Sequence, residues 1–457
     1  MLPEKFKERA KAILGEEYDD FIGALQSGEA VKGLRINLIK ATESSLSQAL
    51  ATRLTPLGYT DNGYLLSGEE RIGQSPEHHA GMVYAQDPGA MATVCALDIE
   101  PDWYVADLCA APGGKSSQIA ERLSERGFLL SNEYVPKRAK IVVTNFERLG
   151  VRGAMVTSMD TSELSKMYRA YFDLVVADAP CSGEGMFRKS EESIAEWSEE
   201  NVLACAKRQA EILENAHSMV KGGGYLLYST CTYSLEENEM AADAFLRAHP
   251  DFHLCEVKES LRCVTADGIT FEGAVCRELY KTRRFYPHRT PGEGQFIALM
   301  QRDEKDLEPA VLYRDSAKPL SRTEEAAVLD FMKESLVEIP AGRLAKVREN
   351  PVIISHGCPV PANSVFMSGT LLGQINGKTF KPSHQLFSVY GELFRRKISL
   401  DEGDPRLGQY LSGEEIDAGT DECGWCAVTY RGAPLGGGKL SGGKCKNHYP
   451  KGLRRQG

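Results

Sequence analysis

The chain has 457 residues, of which 42% are hydrophobic and 26% charged, and its formal net charge is −10 at pH 7. This composition is ordinary for a globular protein, and the length suggests about three domains. The negative charge gives no overall attraction to nucleic acid, so any such binding must depend on local basic patches. We find neither an apolar run near the ~20 residues of a membrane span nor a signal peptide, so we expect a cytoplasmic protein that does not enter a membrane.

Residues 1–75 are predicted to form a small α+β module. Apolar residues from Phe6 to Leu14 have helical spacing, residues 33–39 read as a strand, and Glu43 to Leu57 read as a helix. Arg35 and Asn37 lie on the strand-like stretch. They could contact an RNA phosphate backbone or occupy an ordinary sheet edge, and the sequence leaves both interpretations open.

Residues 76–302 alternate between strand-like and helical stretches, which indicates βαβ units and a parallel sheet. Helices are predicted over 116–126, 136–149 and 201–220. Strand-like runs end near Leu108, Asn132, Thr157, Ala177 and Tyr228. The predicted fold is α/β, with a mostly parallel twisted sheet of Rossmann-like type. A linker and small intermediate module follow at 303–385, and the turn-rich residues 386–457 predict a small β-barrel.

Four basic patches are spread along the chain, and each is either a nucleic-acid contact or a solvated face. They are Lys137, Arg138, Lys140, Arg148 and Arg152; Lys281, Arg283, Arg284 and Arg289; Arg395, Arg396 and Lys397; and Lys444, Lys446, Lys451, Arg454 and Arg455.

A glycine turn, Gly113–Gly114, follows the strand-like run that ends at Leu108. In an open parallel sheet, ligands bind outside the carboxyl ends of the strands. Glycines there let the backbone approach a ligand, and the next helix offers unpaired N–H groups. A Walker loop is excluded because Cys109 stands where its first glycine belongs, and a G-x-G-x-x-G fingerprint is also absent.

Two acids follow at later strand ends. Glu133 can accept hydrogen bonds from a ribose and Asp160 from an adenine amino group, although each alone could be a strand-end cap. A glycine turn with two such acids and no phosphate cradle suits S-adenosylmethionine, whose nucleoside carries a sulfonium instead of phosphates. The residues expected to hold it are Cys109, Ala110, Ala111, Pro112, Gly113, Gly114, Lys115, Glu133, Asp160 and Asp178.

Twelve cysteines without an export signal are interpreted as thiols. Cys181 and Cys231 lie just past strand ends among hydroxyls and glycines, where a partly exposed thiol could have a lowered pKa. In the usual methyltransferase strand order these two strands are neighbours, so both thiols would face one pocket. Six others are predicted to be buried as small hydrophobes: Cys95, Cys205, Cys255, Cys263, Cys276 and Cys358.

Two thiols suit methyl transfer to C5 of a pyrimidine. A thiolate that adds to C6 makes C5 nucleophilic toward a sulfonium methyl, and the C5 proton must later be removed so that the thiolate can leave. Asp178 could hydrogen-bond or protonate N3 of cytosine if its surroundings raise its pKa. The second cysteine could assist the final step.

Three segments carry a family resemblance: Asp107 to Lys115, Asp178 to Lys189 and Tyr228 to Glu239. They resemble the signatures of Sun-type RNA cytosine-5 methyltransferases, and most closely the bacterial 16S rRNA enzymes of the RsmF type. The resemblance implies that Cys231 is the nucleophile, that Cys181 helps product release, and that Asp178 contacts both base and cofactor. The family commonly has Thr-Cys-Ser where this chain has Thr-Cys-Thr, which retains a hydroxyl.

The tail, Lys446 to Arg455, is similar to the PUA-like RNA-binding module of RsmF-type chains. We therefore expect RNA as the partner, specifically 16S rRNA or the small ribosomal subunit, and a monomeric protein. A base in a stem would have to flip out to reach Cys231. Phe187, Tyr233 and Tyr286 could stack on that base or pack in a core.

The spacing of Cys423, Cys426, Cys445 and His448 would suit structural zinc. Reduced cysteines in a small barrel are the favoured interpretation, so no metal is expected. Two other functions remain open: the same chemistry on tRNA, and a non-catalytic RNA-binding ribosome assembly factor. The cysteine pair argues against the second, because binding alone needs no nucleophile.

Overall fold

The computed structural model describes residues 2–27, 30–68, 71–305, 307–377 and 379–454. Arg455, the last member of the tail patch, lies outside them. Helices and strands alternate through the middle of the chain, and smaller sheets precede and follow this alternation. In the described residues, no helix is both long enough and apolar enough to cross a membrane.

A ten-stranded sheet forms the centre of the molecule. Its five inner strands are parallel, and antiparallel strands flank them on both sides, so the predicted mostly parallel sheet is confirmed for the inner part. The spatial order is Ala266–Asp267, Arg283–Phe285, Gln295–Arg302, Val220–Thr230, Phe172–Asp178, Tyr104–Asp107, Phe128–Asn132, Ala154–Thr157 and Val365–Ser368, with Phe252–Leu254 also paired to Gln295–Arg302.

Strand order reverses beside Tyr104–Asp107. The chain proceeds from this strand outward in one direction and then returns to its other side with Phe172–Asp178. Ligands bind at such a switch point, outside the carboxyl ends of the strands. The topology therefore places the glycine turn and both cysteine segments at the same edge of the sheet.

Helices cover both faces of this sheet, and each face has its own buried apolar cluster. The predicted helix at 136–149 has those bounds, whereas the other two are shorter or displaced, at Gly114–Ala120 and Glu199–His217. The remaining helices of this region are Pro88–Val94, Thr161–Met167, Glu191–Glu196, Glu239–Ala248 and Glu259–Arg262.

The N-terminal region has helices Glu4–Leu14, Tyr18–Gln26, Gln48–Ala51 and Pro76–His79. Its sheet has the order Leu54–Pro56, Gly63–Leu66, Gly33–Ile36, Val83–Ala85. The predicted helix from Glu43 to Leu57 is wrong over most of its length, because the chain turns into the first of these strands. The last strand lies beyond residue 75, the predicted end of the module.

The intermediate region contributes to the central sheet through Val365–Ser368, so 303–385 does not fold apart from it. Its other elements are helices Arg322–Ser335 and His384–Tyr390 and strands Ala310–Val311, Arg343–Val347, Asn350–Ile354, Thr370–Leu371, Gly373–Asn376 and Thr379–Pro382. The predicted domain limits remain predictions.

The C-terminal region forms a barrel-like five-stranded sheet beside helix Pro405–Ser412. Its strand order is Lys397–Leu400, Gly424–Tyr430, Ala433–Ser441, Lys444–Asn447, Ile416–Asp417. Its core is continuous with the N-terminal sheet, since Leu34 and Ile36 belong to the same buried cluster as Tyr410 and Tyr430. The two ends of the chain therefore pack against each other.

Candidate active site

The two cysteine segments begin at the ends of neighbouring parallel strands, as the sequence predicts. Asp178 pairs in register with Ser229, and Ser229 Oγ donates a 2.7 Å hydrogen bond to Asp178 Oδ1. Cys181 follows Asp178 by three residues, and Cys231 follows Ser229 by two. The two sulfur atoms are 3.3 Å apart, and both cysteines are partly exposed.

The expected lowering of the thiol pKa does not hold for Cys181. Its pKa is raised well above the usual range by the hydrogen bond to Cys231, by burial and by the negative charge of Glu237. A thiol pKa falls beside a cation, but the main influences on Cys181 are another thiol and a carboxylate. Cys181 therefore keeps its proton in the resting site.

The Asp178 carboxylate lies at the end of one of the two cysteine strands and accepts hydrogen bonds from three side chains. Its Oδ2 accepts a 2.7 Å hydrogen bond from Lys115 Nζ, and its Oδ1 also accepts one from Gln295 Nε2 at 3.4 Å. Burial acts to lower the pKa of Lys115, but Asp178 outweighs it and the net pKa is raised. Lys115 therefore stays a cation and connects the glycine turn to the cysteine strands.

A buried carboxylate, Glu237, holds the loop after Cys181. It accepts hydrogen bonds from the backbone N–H of Ser182 (3.0 Å), from Ser182 Oγ and from Gln209 Nε2 (2.8 Å). Burial raises the Glu237 pKa to about 7. Gln209 also donates to the Pro180 carbonyl, so both sides of Cys181 are anchored to one network.

Asn238 holds the loop that carries Cys231. It is fully buried, accepts a 2.6 Å hydrogen bond from Thr230 Oγ1 and donates a 3.0 Å bond to the Thr232 carbonyl. One side chain therefore fixes the residues before and after the cysteine. Gly185 packs directly against the backbone of Cys231. Its N–H donates a 2.9 Å hydrogen bond to the Cys231 carbonyl, and a Cβ at position 185 would lie 2.8 Å from that oxygen.

The glycine turn leads directly into helix Gly114–Ala120. Gly113 has a left-handed φ of 108°, a conformation that side chains disfavour. Arg35 anchors this helix from the N-terminal sheet: it forms a buried ion pair with Glu121 and donates a 2.7 Å hydrogen bond to Ser117 Oγ. Arg35 and Asn37 are both buried, so neither predicted location, RNA contact or sheet edge, is correct.

The carboxylates predicted for the cofactor follow successive strands. Glu133 is buried, accepts from the Val135 N–H at 3.0 Å and faces Arg138 at 3.5 Å. Asp160 is exposed and caps the next helix by accepting from the Ser162 N–H at 2.8 Å. Hydrogen bonds with Ser162 lower the Asp160 pKa. Asp160 thus caps a helix, whereas Glu133 holds the backbone two residues further on and faces Arg138.

The charges around the glycine turn fit a nucleoside that carries a cation rather than phosphates. Burial and the negative charges of Asp107, Asp178 and Glu133 raise the pKa of the Cys109 thiol well above its usual range, which places these carboxylates around it. The Lys115 ammonium is already paired with Asp178. A sulfonium nucleoside therefore suits this donor set.

The three aromatic residues considered for base stacking belong to a core instead. Phe187, Tyr233 and Tyr286 are all buried and form one cluster with Phe6 and Phe21 of the N-terminal helices. Phe21 and Tyr233 make an edge contact with ring centroids 4.9 Å apart. This cluster attaches the first two helices to the back of the cysteine loops.

The six cysteines predicted to be buried as small hydrophobes differ in their exposure. Cys95, Cys205 and Cys358 are buried, as predicted. Cys255 and Cys276 are only partly buried, and Cys263 is exposed at the end of a one-turn helix, so the prediction is wrong for Cys263.

The four residues whose spacing would suit zinc do not come together as a set of ligands. Cys426 and Cys445 are buried with their sulfur atoms 3.6 Å apart, whereas Cys423 is exposed. His448 packs on Trp425 with ring centroids 4.6 Å apart. In the part of the chain that the structure describes, no three of these four ligand atoms come within 4.8 Å of one another.

The sequence predicts no role for Glu237, Asn238, Gln209 or Gly185, and it does not predict the buried position of Arg35. Glu237 and Asn238 lie shortly after Cys231, in a segment that resembles a family signature. A run of polar residues that becomes buried, Thr232 to Glu239, is the signal that would have pointed to them. Gln209 and Arg35 come from distant helices and strands, and no local pattern marks them.

Three family models match this chain. They are described as 16S rRNA methyltransferase RsmB/F (residues 94–301), the N-terminal domain of 16S rRNA methyltransferase RsmF (2–88) and the methyltransferase RsmF PUA domain (397–455). The last match agrees with the predicted PUA-like module.

Relatives named ribosomal RNA small subunit methyltransferase F align over almost their full length. The proteins from Vibrio vulnificus and Klebsiella pneumoniae are each 29% identical, with 99% and 100% of this chain and 98% and 97% of theirs covered. A solved methyltransferase homolog from Pyrococcus horikoshii is 26% identical, with a TM-score of 0.58 over 66% of this chain and 95% of that one. At 21% identity and a TM-score of 0.57, NSun6 from P. horikoshii with SFG shares the fold over 66% of this chain and 99% of its own.

Proposed function

This chain belongs to the RsmF family of 16S rRNA methyltransferases, and on that premise we propose that it forms 5-methylcytosine in 16S rRNA through a covalent bond to Cys231. The observation that carries the proposal is the 3.3 Å separation of the Cys181 and Cys231 sulfur atoms beside the Asp178 carboxylate. A binding module needs no such pair of thiols, whereas a covalent cycle needs one thiolate to add and one group to take a proton.

In the first step, the Cys231 thiolate forms a bond to C6 of cytosine. The electron pair of the C5–C6 double bond moves toward C5, N3 and O2, and Asp178 would contact N3. The two sulfur atoms lie within hydrogen-bonding distance, so an S–H of Cys181 would stabilise the Cys231 thiolate as it attacks.

S-Adenosylmethionine, when bound, supplies an electrophilic methyl group. The turn of Gly113 and Gly114 would lie against the nucleoside, Glu133 would accept from the ribose hydroxyls and Asp160 from the adenine amino group. Lys115 pairs with Asp178 and would orient its carboxylate between this turn and the base.

In the last step, the Cys181 sulfur takes the proton from C5. The electrons of the C5–H bond restore the C5–C6 double bond and the Cys231 sulfur leaves as a thiolate. Cys181 must first lose its own proton, and its partial exposure gives that proton a path to water. The hydrogen bond to Cys231, which contributes most to the raised Cys181 pKa at rest, is absent once Cys231 is bonded to C6, so Cys181 then gives up its proton more readily.

The substrate follows from the family and from the site. The base must be single-stranded or flipped out of a stem to reach sulfur atoms at the strand ends. We further propose that the protein acts as a monomer in the cytoplasm on 16S rRNA, free or within the small subunit. The PUA-domain match at 397–455 supports RNA contact outside the catalytic region.

The test is a denaturing gel and a methyl-transfer assay with 16S rRNA and S-adenosylmethionine. We expect Cys181→Ala to accumulate a slowly migrating protein–RNA adduct, and Cys231→Ala to give neither adduct nor methylation. Cys263→Ala, an exposed thiol outside the site, is the matched control and should behave as wild type. Methylation by Cys231→Ala would overturn the covalent mechanism. Methylated tRNA with unmethylated 16S rRNA would overturn the substrate.

A further inference from the structure

One face of the C-terminal sheet carries a row of residues that spans three adjacent strands. Trp425 pairs directly with Lys439, and Lys439 pairs directly with Lys446. Directly paired residues point to the same face of a sheet. Both lysines are exposed, and Trp425 is partly exposed, so the row faces solvent.

Two further residues join this row at its edges. His448 packs against Trp425 with ring centroids 4.6 Å apart. Lys381 comes from strand Thr379–Pro382 of the intermediate region and is exposed. Burial and the positive charges of Lys381, Lys446 and Lys439 lower the pKa of His448, so three lysines from two regions of the chain lie near this ring. We call Lys381, Trp425, Lys439, Lys446 and His448 the lysine face.

Within the described part of the chain, the three lysines lack ionic partners. Among the residues that the structure describes, no carboxylate comes within 4.0 Å of Lys381, Lys439 or Lys446. The ammonium group of Lys439 lies 5.8 Å from the centroid of the Trp425 ring. Like charges placed directly opposite each other on a sheet are destabilising. The arrangement of Lys439 and Lys446 is therefore unfavourable until an anion binds there.

We propose that the lysine face binds the phosphodiester backbone of the RNA substrate. Ammonium groups act as point charges for phosphate, and such contacts position a protein without reading sequence. The chain as a whole is negatively charged, so attraction of a polyanion must come from a local cluster like this one. The inference rests on the proposed function, because that function makes RNA the anion in question.

A backbone contact at this face helps catalysis only if the face is held in position relative to the cysteines. Lys40 provides that connection: its Nζ donates 2.9 Å hydrogen bonds to the Arg148 carbonyl of the catalytic region, to Ser388 Oγ and to the Pro434 carbonyl. Pro434 belongs to the same strand as Lys439. RNA held by the lysine face is thereby kept in a defined orientation to the site.

The test compares the triple variant Lys381→Gln, Lys439→Gln, Lys446→Gln with wild type. The matched control is Lys166→Gln, Lys207→Gln, Arg208→Gln, which removes the same charge from helices of the catalytic region. Binding of a 16S rRNA fragment is measured by fluorescence anisotropy at several salt concentrations, and methylation is measured at limiting and saturating RNA.

We expect the lysine-face variant to bind RNA roughly 10- to 100-fold more weakly, and the slope of log Kd against log salt to fall by about 0.7 to 0.9 per lysine. KM for RNA should rise while kcat stays at the wild-type value. The loss should be equal for RNA fragments of different sequence, and Tm should be unchanged or higher because the repulsion is gone.

An unchanged RNA affinity and salt slope in a folded variant would overturn the proposal. So would an equal loss in the control variant, because the effect would then reflect net charge alone. Binding is read separately from methylation, so a wild-type protein that binds RNA through this face but does not methylate 16S rRNA would refute the proposed function and leave the lysine face supported.

Discussion

Ser182 Oγ and Thr232 Oγ1 lie 2.8 Å apart, so the residues that directly follow the two cysteines are hydrogen-bonded to each other. Both side chains are buried. The bond couples two loops that come from different strands, and it lies immediately behind the sulfur pair. The distance between the sulfur atoms is therefore maintained by neighbouring hydroxyls as well as by the strands themselves.

The hydroxyl at position 232 should matter more than the methyl group. We expect Thr232→Ser to keep nearly full activity, and Thr232→Val to lower kcat about fivefold, since a buried hydrogen bond contributes about 1 kcal/mol. Single-turnover methylation of 16S rRNA measures both. Equal rates in the two variants would show that the bond between the loops does not position the thiols.

Asn238→Ala should damage catalysis more than RNA binding. The change removes both contacts that flank Cys231 and leaves the Thr232 carbonyl without its side-chain donor. We expect kcat to fall about 100-fold, equivalent to about 3 kcal/mol, with KM for RNA within about twofold of wild type. Steady-state kinetics give the two constants. A variant that loses RNA affinity while kcat is unchanged would contradict this positioning role.

Gly185→Ala should separate the cysteine loops. A Cβ at this position would lie 2.8 Å from the backbone oxygens of both Cys231 and Gly294, so backbone has to move. We expect adduct formation with RNA to fall at least tenfold. Gly408→Ala is the control: its site is exposed within helix Pro405–Ser412 with no atom in the way, and it should stabilise the protein by about 0.5–1 kcal/mol. Adduct yield and Tm together decide the prediction.

The buried ion pair of Arg35 and Glu121 should be costly to break. Arg35→Ala leaves the carboxylate buried without its cation, which typically costs about 3–5 kcal/mol. Because Arg35 also holds the helix after the glycine turn, affinity for S-adenosylmethionine should fall as well. Chemical denaturation and calorimetric titration measure the two effects. Arg122→Ala breaks a neighbouring but exposed pair with Asp61 and should cost less than about 1 kcal/mol.

Stability should decrease on acidification partly through His356. Burial against Phe128 lowers the His356 pKa to about 4, below the ordinary value near 6.5. Between these values the unfolded chain takes up a proton and the folded chain does not, so this contribution to stability is present above pH 6.5 and is lost as the pH falls toward 4. His356→Gln should flatten Tm against pH in this window. His253→Gln, at an exposed position, should leave the wild-type slope.

Much of the catalytic geometry could be predicted from local sequence. Alternating apolar runs identify strands, and residues just past Leu108, Ala177 and Tyr228 must then meet at one edge of a parallel sheet. The glycine at position 113 is also a local signal, because glycine readily adopts the left-handed conformation that this turn has. The adjacency of Cys181 and Cys231 follows from strand order, and the structure confirms it.

The tertiary structure decided what no local pattern encodes. Arg35 looks like an exposed strand residue, yet it is buried against Glu121, which is 86 positions away. Phe187, Tyr233 and Tyr286 look like stacking residues, but the first two helices cover them.

The raised pKa of Cys181 and the lysine face depend on which groups come together from distant segments. The period of apolar residues specifies where a strand or helix runs, because it depends on neighbouring residues in the sequence. The burial of a polar side chain, its ionisation and its partner depend on residues from distant segments, so only the folded chain determines them.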